Sequence, residues 1–126
     1  MAKIAVNGFG RIGMLVARRI LDKHPSLEIV AVNDLANESE LKKIFQNDPV
    51  YGLYPKKIKA QFFQESEPVQ LPWRDLDIEI VLECSGTLTE FEGAKKHLTA
   101  GAKKVIISAP SDSEEVPTYL LGVNAI

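Results

Sequence analysis

A short apolar run, Lys3-Ile-Ala-Val-Asn7, passes directly into Gly8-Phe-Gly10-Arg-Ile-Gly13, and few folds accept three glycines at such a junction. Without side chains at Gly8 and Gly10 the chain can turn sharply and let a ligand approach the backbone, while Gly13 lets a following helix pack closely on the strand. The residues from Arg11 onward favour helix, so free N–H groups and the positive end of the helix dipole face that turn. An anion fits there. About twenty residues further on, the apolar run Ile29-Val-Ala-Val32 ends in Asn33-Asp34. A carboxylate at that point accepts hydrogen bonds from both hydroxyls of a ribose and repels a 2′-phosphate, and no Arg or Lys follows at once to rescue one. A tight turn and a solvated strand end would explain these residues singly. Their order, strand, turn, helix, strand and acid, predicts a dinucleotide site built on Gly8, Gly10, Gly13 and Asp34, with NAD rather than NADP as the ligand.

The rest of the chain alternates in the same way. Ile12, Leu15, Val16, Arg19 and Ile20 recur at helical spacing, and Pro25-Ser26 closes that helix. Asn37, three residues before Glu40, resembles a capping box opening a short helix through Leu41, Ile44 and Phe45. Residues 47–72 hold four of the seven prolines and two short strand-like runs, 58–63 and 69–71. Trp73, which follows, is assigned to the core or to a hinge contact. The run Ile78-Glu-Ile-Val-Leu-Glu83 reads as a central parallel strand covered on both faces, ending at Cys84-Ser85-Gly86. Thr87 and Glu90 have capping-box spacing, Phe91, Ala94 and Leu98 form a stripe, and Gly101 ends that helix. A further strand, 104–108, breaks at Ala109-Pro110, and after an acidic loop a last apolar run covers 119–122. This alternation predicts one α/β domain over residues 1–126, a Rossmann-type doubly wound, mostly parallel sheet with helices on both faces. Ligands of such sheets bind beyond the carboxyl ends of the strands, where Gly8, Asp34, Ser85 and Ser108 all fall.

Composition narrows the function classes. The 126 residues, 45% of them apolar, suffice for one ordinary core. Fifteen basic against 17 acidic residues give a net charge of −2 with no basic block, which argues against nucleic acid as the main partner. No run approaches the length of a membrane span and no signal-peptide pattern opens the chain, so a cytoplasmic protein without membrane partners is expected. The single cysteine, Cys84, excludes an internal disulfide and fits a reducing compartment. Cys84 also lacks the setting of a nucleophile. It follows a buried strand, Glu83 beside it opposes ionisation, and no histidine is near in sequence, so a structural role is expected and no catalytic residue is assigned. His24 and His97 lie near helix C-termini as solvated or dipole-paired imidazoles, with no metal-ligand partner at the right spacing.

Six ordered blocks carry a more specific likeness: Val6-Asn-Gly-Phe-Gly-Arg-Ile-Gly13, Val32-Asn-Asp34, Leu71-Pro-Trp73, Glu83-Cys-Ser-Gly86, 101–110 and Gly122-Val-Asn124. Together they resemble the successive signatures of glyceraldehyde-3-phosphate dehydrogenase across the whole chain. The resemblance implies the amino-terminal NAD-binding domain of a homotetrameric glycolytic enzyme. It implies that Arg11 and Ile12 offer backbone amides to the pyrophosphate, that Asp34 holds the adenosine ribose, and that Ser85, Gly86 and Ser108 line the path toward the nicotinamide. The family's catalytic cysteine segment, its histidine and its substrate-phosphate ligands have no counterpart in these 126 residues, so the chain alone is expected to be inactive. Ser66 stands where an arginine often contacts the adenine side, Leu88 replaces an aromatic, and 56–64 is shorter than usual.

Three functions follow from these readings. The first is the cofactor domain of a phosphorylating aldehyde dehydrogenase whose catalytic segment lies elsewhere, with association expected where the run 119–126 needs covering. The second is a freestanding NAD-binding sensory or regulatory module without catalysis. The third, another Rossmann-type dehydrogenase, is opposed by the Ser108-Ala-Pro110 and Gly122-Val-Asn124 blocks.

Overall fold

A computed structural model of the chain describes residues 1–119. Of the segment 119–122 expected as a last apolar run, all but Tyr119 lie outside the described residues, as do Gly122-Val-Asn124. The first βαβ unit comprises β1 (Ala2–Asn7), α1 (Arg11–Lys23) and β2 (Leu27–Asn33). Next come α2 (Glu38–Gln46), a small antiparallel ladder of β3 (Asn47–Asp48) with β4 (Gly52–Leu53), and β5 (Gln61–Phe63). The remainder is β6 (Ile80–Glu83), α3 (Phe91–Thr99) and β7 (Lys104–Ile107). Five strands form one sheet in the order β5-β2-β1-β6-β7, every pairing parallel. β2 and β6 flank a central β1, with β5 and β7 at the edges, the doubly wound arrangement that the alternation predicts.

Two apolar layers hold this sheet. On one face Val6, Ile29 and Val32 pack against Met14, Ala17 and Ile20 of α1 and Leu41 and Phe45 of α2. On the other, Ala5, Ala31 and Val81 pack against Leu71, Trp73, Ile78, Ala100 and Ala102. The strands bury both faces and so read as continuous apolar runs. The small Ala5 and Ala31 leave room for Trp73, which is fully buried, in the core role expected for it.

Several local readings need correction. Val69–Leu71 is no strand: Pro68–Gln70 forms a 3-10 turn that Pro68 starts, with Leu71 buried beneath Trp73's layer. The strand expected over 58–63 shortens to 61–63. The ladder at 47–53 went unforeseen because its strands are two residues each, too short for any periodicity. Asn37 does cap α2, its Oδ1 accepting from the Ser39 amide at 2.8 Å. Thr87 does not cap α3, which starts only after Glu90. The Phe91 amide instead donates to Ser113 Oγ at 3.0 Å, and Glu90 Oε2 accepts from the same hydroxyl at 2.6 Å. The buried face of α3 carries Ala94 and His97 while Leu98 is exposed, and that of α1 carries Met14, Ala17 and Arg18 while Ile12 and Arg19 are exposed.

Arg18 is buried because its guanidinium is spoken for. Nε and Nη2 donate to the Phe45 carbonyl at 3.0 and 2.6 Å, and Nη2 also donates to the Gly52 carbonyl at 3.1 Å. Its cation lies 4.8 Å from the Tyr54 ring centroid. Tyr54 in turn donates to Asp22 at 2.8 Å, and burial followed by that carboxylate pushes its phenol up to about 12. Arg18→Ala strands two carbonyls and unfastens the ladder from α1. Urea unfolding should show a loss of about 3 kcal/mol, and Arg18→Lys should recover only part of it, since an ammonium cannot reproduce the planar fork.

Candidate functional site

The turn between β1 and α1 is shaped by close backbone approaches. Gly8 has φ +91°, and a Cβ there would lie 2.5 Å from both Cα and N of Ser85 in the turn after β6. A Cβ at Gly13 would run into the Gly8 carbonyl oxygen. Gly10 differs: a Cβ there would meet nothing within 4 Å. Phe9 anchors the turn from below, buried and stacked on Phe45 at 5.5 Å between ring centroids. Gly10 is the residue before α1 and has no side chain to cap it, so the first amides of that helix have no partner within it. What results is a helix start facing open space.

Asp34 joins this turn from the end of β2. Its Oδ2 accepts from the Phe9 amide at 2.8 Å and its Oδ1 from the Ala36 amide at 2.9 Å. A carboxylate has about four acceptor positions, so two remain for hydroxyl donors. Gly8, Gly10, Asp34, Ser66, Ser85 and Leu88 line one cleft of about 350 Å³. The structure thus gathers Gly8, Gly10, Asp34 and Ser85, with Ser66 and Leu88 in the same lining. Gly86, with φ +77°, follows Ser85 at the surface, outside that lining. Arg11 and Ile12 bring only main chain to the turn. The Arg11 guanidinium donates to Asp48, 2.7 Å from Oδ2, and the Ile12 side chain is exposed. Ser108 lies at the end of β7 in a separate hollow with Pro110 and Val116.

Beneath the cleft runs a buried polar chain that the sequence reading missed. Glu83, 1% exposed, accepts at Oε1 from Asn7 Nδ2 (2.5 Å) and His97 Nε2 (2.8 Å), and at Oε2 from the amide and hydroxyl of Ser85 (2.9 and 2.6 Å). Asn7 Oδ1 accepts from Asn33 Nδ2 at 2.7 Å, and Asn33 exchanges two hydrogen bonds with the Glu65 backbone. Burial would raise the Glu83 pKa, but the bonds from His97, Ser85 and Asn7 outweigh it and hold the carboxyl below its ordinary value. The expectation of a solvated His97 is therefore overturned. It is fully buried, and its Nδ1 accepts from Trp73 Nε1 at 3.0 Å. An indole N–H only donates, so Nδ1 carries no proton and Nε2 carries the one given to Glu83. One signal was present in the sequence: Glu83 follows the apolar Ile80-Val-Leu82 at the end of a strand read as covered on both faces, and burial there obliges an acid to find partners.

Cys84 is half-buried, and burial, with the Glu83 charge adding to it, pushes its thiol up although the Ser108 hydroxyl works the other way. At neutral pH it is a protonated thiol, and the nearby imidazole is already tied between Glu83 and Trp73.

The sequence that builds this fold and cleft is similar to known proteins. Residues 2–91 match the family model for the NAD-binding domain of glyceraldehyde 3-phosphate dehydrogenase. Over 97% of its length the chain is 42% identical to the glyceraldehyde-3-phosphate dehydrogenase of Chlamydia pneumoniae, covering 40% of that protein. It is 45% identical to the enzyme of Clostridium acetobutylicum, over 98% of this chain and 40% of the relative. For that of Thermotoga maritima the figures are 41%, 98% and 41%. The chain spans about two fifths of the length of these relatives. With the matched model covering most of the described fold and the glycine turn at its start, the chain belongs to the glyceraldehyde-3-phosphate dehydrogenase family and represents its NAD-binding domain.

Proposed function

We propose that this chain holds NAD for a phosphorylating aldehyde dehydrogenase acting on glyceraldehyde 3-phosphate in the cytoplasm, in the glycolytic reaction, with the nucleophilic cysteine and histidine base supplied from outside these 126 residues. One observation carries the reading: the uncapped start of α1 opens at Gly10 into the same cleft as Asp34. The backbone amides of Arg11 and Ile12 are suited to a pyrophosphate by the helix dipole and by their lack of intrahelical partners. Asp34 keeps acceptor positions for two ribose hydroxyls, and its charge disfavours a 2′-phosphate. Leu35, Pro68 and Leu88 give the cleft an apolar side suited to the adenine ring, though without an aromatic to stack on. Gly86 and Ser108 are assigned to the path toward the nicotinamide, on the strength of the family likeness.

Bound NAD supplies an electron-poor ring that takes a hydride. In the complete reaction an aldehyde and inorganic phosphate become an acyl phosphate as NAD becomes NADH and a proton is released. This chain's residues bind and orient the cofactor and leave the covalent step to a thiolate they do not contain, since the Cys84 thiol is raised by burial. Assembly into a homo-oligomer belongs to the same reading of the complete enzyme.

Calorimetric titration should show NAD bound in preference to NADP. In Asp34→Ala the ratio of the two affinities should fall about tenfold or more. The ratio is the proper readout, because losing the Phe9 anchor weakens both ligands alike. Equal affinities in the unmutated chain overturn the ribose assignment.

Gly10→Val separates binding from folding. Gly10 has φ −88° and ψ −148°, and its Cβ direction is open, so a valine clashes with nothing and stability should drop by about 2 kcal/mol from an unfavourable ψ and a poorer helix cap. NAD affinity should fall about a hundredfold or more, because the valine fills the cleft (roughly 3 kcal/mol).

With glyceraldehyde 3-phosphate, phosphate and NAD, the 126-residue chain alone should produce no NADH. Turnover that appears on adding a separately expressed carboxyl-terminal piece of a relative supports the proposal. Turnover by the chain alone that survives Cys84→Ser overturns it, and a chain inactive with every such piece favours the sensory module instead.

A further inference from the structure

We propose that Glu83 is a positioning residue of the cleft: it sets how NAD is held by pinning the Ser85 turn against the Gly8 turn, without itself touching the ligand. The inference rests on the reading that this cleft takes NAD. Glu83 is 1% exposed and lies behind the cleft wall, whereas Ser85, two residues on, is exposed and lines it. Both Ser85 donors, amide and hydroxyl, end on Glu83 Oε2. The Gly8 turn has no slack against that wall, since even one added carbon at Gly8 would collide with Ser85 Cα and N. Where Glu83 puts Ser85 therefore decides where Gly8, and with it the start of α1, can sit.

The other oxygen fixes the carboxylate. Oε1 accepts from Asn7, the residue before Gly8, and from His97 Nε2. Trp73 holds His97 in the tautomer that donates at Nε2, so the imidazole can serve only as a donor there. Four protein donors occupy the four acceptor positions of the carboxylate. A neutral carboxamide of the same shape cannot satisfy this set. Its NH₂ would face either the Ser85 amide or the Asn7 and His97 donors, and one of these sides must move.

The test compares the unmutated chain with Glu83→Gln by NAD calorimetry, circular dichroism and the Ser85 amide resonance. Glu83→Gln should keep its secondary structure, lose the strongly bonded Ser85 amide signal and bind NAD about tenfold or more weakly. A folded Glu83→Gln chain with unchanged NAD affinity overturns the proposal while leaving the NAD reading intact. An unmutated chain that binds no NAD overturns both. Should Glu83→Gln not fold, acid titration of the unmutated chain decides. A Ser85 amide that titrates with a carboxyl below the ordinary glutamate value, in step with falling NAD affinity, supports the role. One indifferent to the Glu83 proton overturns it. A purely structural carboxylate would change the melting temperature and leave the link between that amide and affinity unmoved.

Discussion

The buried charge of Glu83 is the constraint on which the carboxyl end of this parallel sheet depends. An ionised carboxylate out of water is strongly unfavourable unless its lone pairs are met by donors. Here the donors come from three places: the end of β1, the turn after β6 and the interior of α3. None of them suffices alone, so these elements must be in place together. The chain then continues through Asn7 and Asn33 to the Glu65 backbone, crossing the sheet at right angles to its strands. Backbone pairing ends at Asn7, Asn33 and Glu83, and side chains take over the lateral bonding where the strands stop.

Above that polar layer the cleft is made largely of main chain. Its donors are amides of the first turn of α1, left over because Gly10 brings no cap. Its outline is set by contacts too tight for a Cβ, Gly8 on Ser85 and Gly13 on Gly8. Of the two acidic residues in its lining, Asp34 and Glu65, Asp34 is held by two backbone amides, those of Phe9 and Ala36. The apolar layers supply the rigidity this requires. Phe9, in the middle of the glycine motif, is a core residue stacked on Phe45, so the glycine turn and the α2 layer are one packed unit.

How much of this could be read from the sequence follows from the range of the forces involved. The parallel sheet and its order of elements were legible because burial of both faces writes continuous apolar runs into β1, β2 and β6. The glycine turn and Asp34 were legible because their spacing follows from the βαβ unit itself. What escaped depends on partners distant in sequence. His97 looks like any helix-end histidine until Trp73 and Glu83, 24 and 14 residues away, close on it. Thr87 and Glu90 have capping-box spacing, but the hydroxyl that caps α3 arrives from Ser113, and Glu90 turns to serve that loop instead. Arg18 falls on an apolar face because carbonyls of α2 and β4 wait there, which no helical periodicity records.

The Ser113 cap has a bearing on the order in which the molecule assembles during synthesis. The donor at Phe91 waits for a hydroxyl 22 residues downstream, so the first turn of α3 emerges from the ribosome with its end open and is completed only after β7 has followed it. β6, α3, β7 and the 111–113 loop therefore form a clasp that shuts from its last residue backward.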